Sequence, residues 1–324
     1  MGSQPLAIEY RDIVIYNNSS SQEVMQCVKA LLYPIYGKYL LKMSQNELPY
    51  TSDSTLRFFL LYCSCWLLVI IFVNFYSLYS ILRGQFGLGF ITYSPILLPI
   101  IFFLILAVSL VKKQLNEQNQ FQISWIFAGG ALAFTALFIP DPNFAVKRIH
   151  VSEYILLSLL VRFTLCNRLS GTSLLLFSAL VTAVFGIHDE FLQGIHSSRT
   201  FGLRDIAVNT VAALAGCFLW HGLALFAGKK KMKGPDKKQI FPTGGYLLWL
   251  SLSVFLLILP MPAYRFAAIP IWICLPLAAS AVYWCCFFIN HDSELRPGIN
   301  VLSYTTIALL IYPVIINIFH LPFH

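Results

Sequence analysis

Charged residues are sparse along this chain and divide it into long apolar runs. Between Arg57 and Arg83 lie 25 residues without a charge, and 23 more lie between Asp205 and Lys229. A helix needs about 20 consecutive apolar residues to cross a membrane, so each run of this length predicts a transmembrane helix. The pattern predicts nine spans, at about 58–82, 88–111, 121–139, 149–167, 172–190, from Asp205 to 228, 244–261, 266–289 and 300–320.

The composition supports this interpretation. Hydrophobic residues make up 58% of the 324 positions and charged residues only 11%, whereas soluble domains carry about 25% charged residues. We therefore exclude an ordinary soluble domain. The expected fold class is all-α, a polytopic membrane helical bundle with about nine transmembrane helices.

The positions of lysine and arginine predict the orientation of the spans. Six lysines fall between Lys229 and Lys238, and loops rich in Lys and Arg stay in the cytoplasm. With nine alternating spans, 16 of the 22 Lys and Arg residues then lie inside. We expect a multi-pass protein of the cell membrane, with a cytoplasmic N-terminus and an extracytoplasmic C-terminus. The net charge of +8 then reflects topology and contact with membrane lipids, and no nucleic-acid partner is expected.

The same pattern divides the chain into five regions. These are a cytoplasmic or interfacial N-terminal segment (1–55), two accessory transmembrane helices (56–120), a helical core (121–227), a basic cytoplasmic loop (228–243) and three C-terminal transmembrane helices (244–324).

Polar residues concentrate in two stretches of the core. The first begins the fourth predicted span, where His150, Glu153 and Tyr154 have the i, i+3, i+4 spacing that places them on one helix face. The second, residues 187–216, contains nine polar side chains between two apolar runs: His188, Asp189, Glu190, Gln193, His196, Arg199, Arg204, Asp205 and Asn209. Ionisable groups are costly between membrane spans and usually face one another or water. These two stretches are therefore the candidate functional site.

The two polar stretches resemble the VanZ-like family of bacterial membrane proteins. The family pattern has a K-x-x-H-x-x-x-Y helix start and, two helices on, an acidic-Glu-x-x-Gln, Arg, Asp-x-x-x-Asn and Gly segment, matched here by Lys147, His150, Tyr154, Asp189, Glu190, Gln193, Arg199, Asp205, Asn209 and Gly216. The match covers residues 121–227, and it departs from the pattern at Ser197-Ser198, usually Pro-Gly, and at Ala212, usually Gly. From the family's namesake, the resemblance implies a link to low-level resistance against the glycopeptide teicoplanin.

The site residues fall into two groups by their chemistry. We assign acid or base catalysis to Glu190, His150, Asp189 and Asp205. We assign ligand contacts to Glu153, Tyr154, His188, Gln193, His196, Arg199, Arg204 and Asn209. Arginine binds phosphate and carboxylate groups well, so we expect an outward-facing pocket that binds or acts on an anionic molecule of the cell envelope, such as a lipid-linked or phosphate-bearing headgroup. Both a binding protein and an enzyme fit this expectation.

Three other interpretations of the same residues stay open. The polar groups can satisfy one another structurally, with Arg199–Asp205 and His150–Glu190 as pairs. They can also serve a proton- or ion-coupled transporter, in which the acidic side chains relay protons. A membrane-embedded, metal-dependent hydrolase is the third, but His150-x-x-Glu153 spacing is common by chance, so no metal site and no cofactor are assigned. The eight cysteines show no paired Cys-x-x-Cys spacing, and indicate neither a zinc site nor a disulfide framework.

Overall fold

The computed structural model describes residues 55–75, scattered positions between 81 and 108, and residues 121–140, 145–227, 237–288 and 294–324. The chain divides into two compact units, Met1–Arg57 and Phe58–His324, and almost all of the first unit lies outside the described residues. Nearly all of the interfacial N-terminal segment and most of the second predicted span and of the basic loop therefore lie outside them as well.

The described residues form helices and turns, without a strand among them. The principal helices are α1 (Thr55–Phe75), α2 (Ile123–Ala136), α3 (Ile149–Leu165), α4 (Gly171–Ile195), α5 (Leu203–Gly222), α6 (Lys237–Ile258), α7 (Leu275–Tyr283), α8 (Arg296–Ile307) and α9 (Ile311–Ile318). Short 3₁₀ segments precede α3, follow α6, precede α7 and join α8 to α9, and a π-helical turn follows α7. The expected all-α fold class is confirmed for this part of the chain.

Six helical segments among the described residues are long and apolar enough to cross a membrane: Thr55–Phe75, Gly171–Ile195, Leu203–Gly222, Thr243–Tyr264, Ile271–Phe288 and Arg296–Ile318. The predicted count of nine is not confirmed. Helix α2 has only 14 residues, and α3 has 17 and includes Glu153 and Arg162, so both are shorter than a typical span. The six segments are compatible with a multi-pass membrane protein.

The outer faces of the bundle are apolar. Phe127 of α2 is 76% exposed and Leu248 of α6 is 73% exposed. A large apolar surface of this kind is unfavourable in water and matches the hydrocarbon region of a bilayer.

Helices α3, α4 and α5 pack against one another, and α2 packs on α5. Glycines allow the closest approaches. A Cβ atom added at Gly216 of α5 would lie 2.1 Å from Ser158 Oγ of α3, and one added at Gly129 of α2 would lie 2.8 Å from the Ala215 carbonyl oxygen. Small residues are used in this way between membrane helices. Gly129 thus allows a close approach of α5, whereas its neighbour Gly130 has nothing within 4 Å of its added Cβ.

The last residues of the chain return to the end of α4. The His324 amide donates to the Gly194 carbonyl oxygen at 2.8 Å, and the Phe201 amide donates to the His324 carbonyl oxygen at 2.9 Å. Phe323 is fully buried against Phe191 and Phe201. This segment therefore holds the connection between α4 and α5 in place.

Candidate functional site

The start of α3, the end of α4 and the start of α5 lie at one end of the bundle. Residues 166–170 join α3 to α4, and residues 196–202 join α4 to α5. Because both connections are short, successive helices run in opposite directions and bring these three helix ends together. Most of the predicted site residues lie on these ends.

A histidine and two carboxylates meet between α3 and α4. The His150 Nδ1 atom lies 2.8 Å from Glu153 Oε2 and 3.9 Å from Asp189 Oδ2. The Tyr154 hydroxyl donates to Asp189 Oδ2 at 3.0 Å. All four side chains are buried, with at most 6% of any of these residues exposed. The predicted shared face of His150, Glu153 and Tyr154 is confirmed, and it faces Asp189.

The carboxylates of two further residues lie at the start of α5. Asp205 belongs to this helix, and Glu190 reaches it from the end of α4. Glu190 Oε2 accepts a hydrogen bond from the Gly202 amide at 2.9 Å, and Gly202 is the residue that precedes the helix. Asp205 Oδ2 lies 2.5 Å from Lys147 Nζ. Helix N-termini stabilise negative charge, so α5 supports both carboxylates. The helix begins at Leu203, two residues before Asp205, so Asp205 lies within the first turn and Gly202 is the N-cap.

The two groups of carboxylates form one buried cluster. Glu190 lies near enough to Asp189, Asp205 and His150 for their charges to act on it. We use the term acidic interior for the four buried carboxylates Glu153, Asp189, Glu190 and Asp205.

Two amide side chains extend this interior. Gln193 Oε1 accepts hydrogen bonds from Arg199 Nη2 at 2.5 Å and Nε at 3.2 Å. Asn209 Nδ2 contacts the Gly186 carbonyl oxygen at 3.4 Å, and both amide side chains are buried. An added Cβ at Gly186 would lie 2.7 Å from Asn209 Cβ and 3.2 Å from the Tyr154 ring, so only glycine allows these three helices to meet here.

Basic side chains lie at the edge of the cluster. Lys147 and Arg199 are half-buried and Arg204 is exposed. Arg204 Nε donates to the Ile139 carbonyl oxygen. We use the term basic rim for Lys147, Arg199 and Arg204. His196 is exposed beside it, with its Nδ1 atom 3.0 Å from Ser198 Oγ.

One predicted ligand residue lies outside the cluster. His188 faces a different side of α4, where its Nδ1 atom lies 3.0 Å from the Tyr312 hydroxyl and its Nε2 atom 2.8 Å from the Thr305 carbonyl oxygen. Consecutive helical residues point about 100° apart, so His188 and Asp189 contact different neighbours. Both ring nitrogens of His188 are used in holding α4 to the C-terminal helices.

The ion pairs also differ from the structural pairs that the sequence suggested. Asp205 pairs with Lys147 rather than with Arg199, and the nearest carboxylate to His150 is Glu153 rather than Glu190. Lys147 is the residue that the site assignment omitted. Its place three residues before His150 in the family-like pattern was the available signal.

Several buried atoms of the cluster have no hydrogen-bond partner. Among the described residues they are Glu153 Oε1, Glu190 Oε1 and Asn209 Oδ1, together with two close but poorly aligned pairs, His150 Nδ1 with Glu153 Oε2 and the Gln193 amide with the Asp189 carboxylate. Buried polar atoms normally have partners, and each exception requires an explanation. Unpaired atoms concentrated in one place are typical of a ligand-binding or catalytic site.

The same residues do not form an evident metal site. Among the described residues, no group of three or more His, Cys, Asp and Glu side chains is arranged to hold a metal ion. The chemistry that this cluster supports directly is hydrogen bonding, charge recognition and proton transfer.

Comparisons of the chain with protein-family models, with curated proteins and with solved structures find no match.

Proposed function

We propose that this is a multi-pass protein of the cell membrane whose polar cluster binds, or acts on, an anionic molecule of the cell envelope. One observation carries the proposal. The basic rim and the acidic interior lie together at one bundle end, and the interior contains buried polar atoms without partners.

The basic rim is suited to the anionic group of such a ligand. Arg199 directs two guanidinium nitrogens at Gln193 Oε1, which holds the guanidinium at the entrance to the interior. Arg204 is exposed at the start of α5, where the helix dipole adds to its attraction for anions. A lipid-linked or phosphate-bearing headgroup supplies the matching charge.

The acidic interior is suited to proton transfer. His150 and Glu153 are in close contact, and Glu190 retains an oxygen without a partner among the described residues. A catalytic role for Glu190, His150, Asp189 and Asp205 is therefore part of the proposal. The VanZ-like assignment, and with it glycopeptide tolerance, also belongs to the proposal and is supported by the sequence pattern alone.

The site is proposed to face the outside. A reporter fused after Lys238 is expected to be cytoplasmic, and one inserted at Ser197 is expected to be extracytoplasmic. If both reporters lie on the same side, the outward orientation is wrong.

Ion- or proton-coupled transport is a second candidate, favoured by one observation. Ser158, Ser178 and Thr182 are fully buried along α3 and α4 beyond the cluster, and Ser178 Oγ has no partner. Proteoliposomes loaded with a pH-sensitive dye test it, since transport requires a proton flux that Glu190→Gln abolishes. The close packing of Gly216 on Ser158 leaves little space for such a path, so we prefer the binding function.

Binding of a short-chain anionic lipid tests the preferred function. The full chain in nanodiscs is titrated with dihexanoyl phosphatidylglycerol, and the variant Arg199→Gln/Arg204→Gln is compared with the parent. Charged hydrogen bonds contribute about 1.5–3 kcal/mol each, so we expect affinity to fall by roughly tenfold or more.

The control variant is Arg168→Gln, which removes a cation from the connection between α3 and α4, where its guanidinium packs on the Phe58 ring. It is expected to bind like the parent. Equal affinity in the rim variant and the control would contradict the proposed function.

A further inference from the structure

The unpartnered atoms of the cluster are mostly hydrogen-bond acceptors. Apart from the His150–Glu153 and Gln193–Asp189 contacts, they are three oxygens, on Glu153, Glu190 and Asn209. The oxygens of a lipid phosphodiester carry no proton and only accept hydrogen bonds, so they cannot satisfy these three atoms. The anionic group bound at the rim therefore cannot be the part of the ligand that enters the interior.

The ion pairs of the interior also indicate a positively charged group on the ligand. Asp205 has Lys147 at 2.5 Å and Glu153 has His150 at 2.8 Å. Among the described residues, Asp189 has a basic group no nearer than His150 at 3.9 Å, and Glu190 has no ion pair. A buried carboxylate without a nearby cation either takes up a proton or pairs with a cation from outside, and a ligand ammonium group supplies such a cation.

Asn209 supplies evidence that is independent of the acids. Its side chain is fully buried, and its Oδ1 atom has no partner although Nδ2 contacts Gly186. A neutral amide oxygen is not left unpaired by charge repulsion. The Asn209 Cβ atom and the Tyr154 ring both lie beside Gly186, and Tyr154 donates to Asp189, so Asn209 is a neighbour of the acidic interior.

We propose that the ligand carries a protonated primary amine as well as a phosphate, with the amine in the acidic interior and the phosphate on the basic rim. The inference rests on the proposed function and narrows its substrate class to zwitterionic, amine-bearing headgroups of the phosphoethanolamine kind. An ammonium group supplies three N–H donors and a positive charge. It suits this interior better than a metal ion, because the described side chains show no metal-binding arrangement.

Matched lipid probes test the inference. The full chain in nanodiscs is titrated with dihexanoyl phosphatidylethanolamine and with its N-acetyl derivative, which keeps the phosphate and loses the ammonium charge. We expect the amine probe to bind at least about tenfold more tightly. Free O-phosphoethanolamine is a third probe: if it binds as tightly as the lipid, the ligand is a soluble headgroup.

Variants test whether the interior carboxylates cause the preference for the amine probe. Asp189→Asn and Glu190→Gln are expected to make the affinities for the amine probe and its N-acetyl derivative equal. Arg199→Gln is expected to weaken the binding of both probes alike. Glu294→Gln, which removes an exposed carboxylate, is the control and should keep the preference. Thermal unfolding of each variant shows whether it is folded. If one of the two interior variants fails to fold, the other is sufficient to test whether the interior carboxylates cause the preference.

Two outcomes separate the inference from the function on which it rests. If both lipid probes bind equally in the parent, and both depend on Arg199, the amine inference is overturned and the anion-binding function survives. If neither probe binds, nor does phosphatidylglycerol, the proposed function is overturned together with the inference.

Discussion

Replacing Glu190 with Gln removes one charge from the buried cluster and keeps an acceptor oxygen in place. In the parent protein, Glu190 Oε2 accepts the Gly202 amide at 2.9 Å, and Oε1 has no partner. The amide oxygen of Gln can accept the same hydrogen bond. We therefore expect Glu190→Gln to fold and accumulate at the parent level while its binding of dihexanoyl phosphatidylethanolamine falls by roughly tenfold or more.

The energies behind this expectation oppose one another. Exchanging a charge-assisted hydrogen bond for a neutral one at the start of α5 costs about 1 kcal/mol. Removing the carboxylate also removes its repulsion from Asp189 and Asp205, which lie near it. The net change in the free energy of unfolding is therefore expected to stay within about 1 kcal/mol. By contrast, Glu190→Ala removes the hydrogen bond to the partly buried Gly202 amide together with a buried side chain, and should cost about 1–3 kcal/mol.

Abundance and binding must be measured side by side. Membrane-inserted protein, thermal unfolding and probe affinity are compared for the parent, Glu190→Gln, Glu190→Ala and the exposed control Glu294→Gln. If the Gln variant loses stability as the Ala variant does, Glu190 serves the fold and not the ligand. Full affinity at full abundance would instead remove Glu190 from the site.

Two further predictions concern packing. Gly216→Ala places a Cβ 2.1 Å from Ser158 Oγ and should destabilise the protein by about 1–3 kcal/mol through overpacking. Gly130→Ala, with open space around its Cβ, should be neutral or slightly stabilising. Thermal unfolding of the two variants checks the difference, and equal midpoints would count against the described contact of α3 with α5. Phe323→Ala empties a fully buried site and should lower the free energy of unfolding by about 3–5 kcal/mol. Phe319 is 66% exposed, so Phe319→Ala should lower it little. Chemical unfolding compares the two variants, and a small effect at Phe323 would show that the last residues do not hold the end of α4.

The location of the candidate site could be predicted from the sequence because a membrane excludes charge. Polar residues that occur between long apolar runs must gather where helices meet or end, and residues 187–209 do so at the ends of α4 and α5. The i, i+3, i+4 spacing of His150, Glu153 and Tyr154 likewise predicted their shared face, since helix geometry alone determines it.

The hydrogen-bond and ion-pair partners of these residues could not be predicted from the sequence, because they depend on how the helices pack. Lys147 reaches Asp205 across 58 residues of sequence, and nothing in the local pattern distinguishes it from Arg199 as the partner of Asp205. Neighbouring His188 and Asp189 were assigned to one site, but the helix directs them about 100° apart, toward different neighbours. The return of Phe323 to Gly194 is a long-range contact without a local signal.

The lengths of two predicted spans differ from the structure for a related reason. Uncharged runs show where a helix can cross a bilayer, but not where it ends. Helix α2 stops at Ala136, a few residues before the Pro140-Asp141-Pro142-Asn143 sequence, and α3 stops at Leu165. The count of nine spans is therefore not confirmed, and six helices among the described residues are long enough to cross a membrane.

A photo-crosslinking experiment tests the central claim most directly. A short-chain phosphatidylethanolamine that carries a photoreactive group next to its phosphate is irradiated with the full chain in nanodiscs, and the labelled peptides are identified by mass spectrometry. The account predicts labelling in residues 187–209 and 145–154, with loss of the label when excess unlabelled lipid competes. Labelling confined to the exposed apolar faces of α2 and α6, or labelling that unlabelled lipid does not displace, would contradict it.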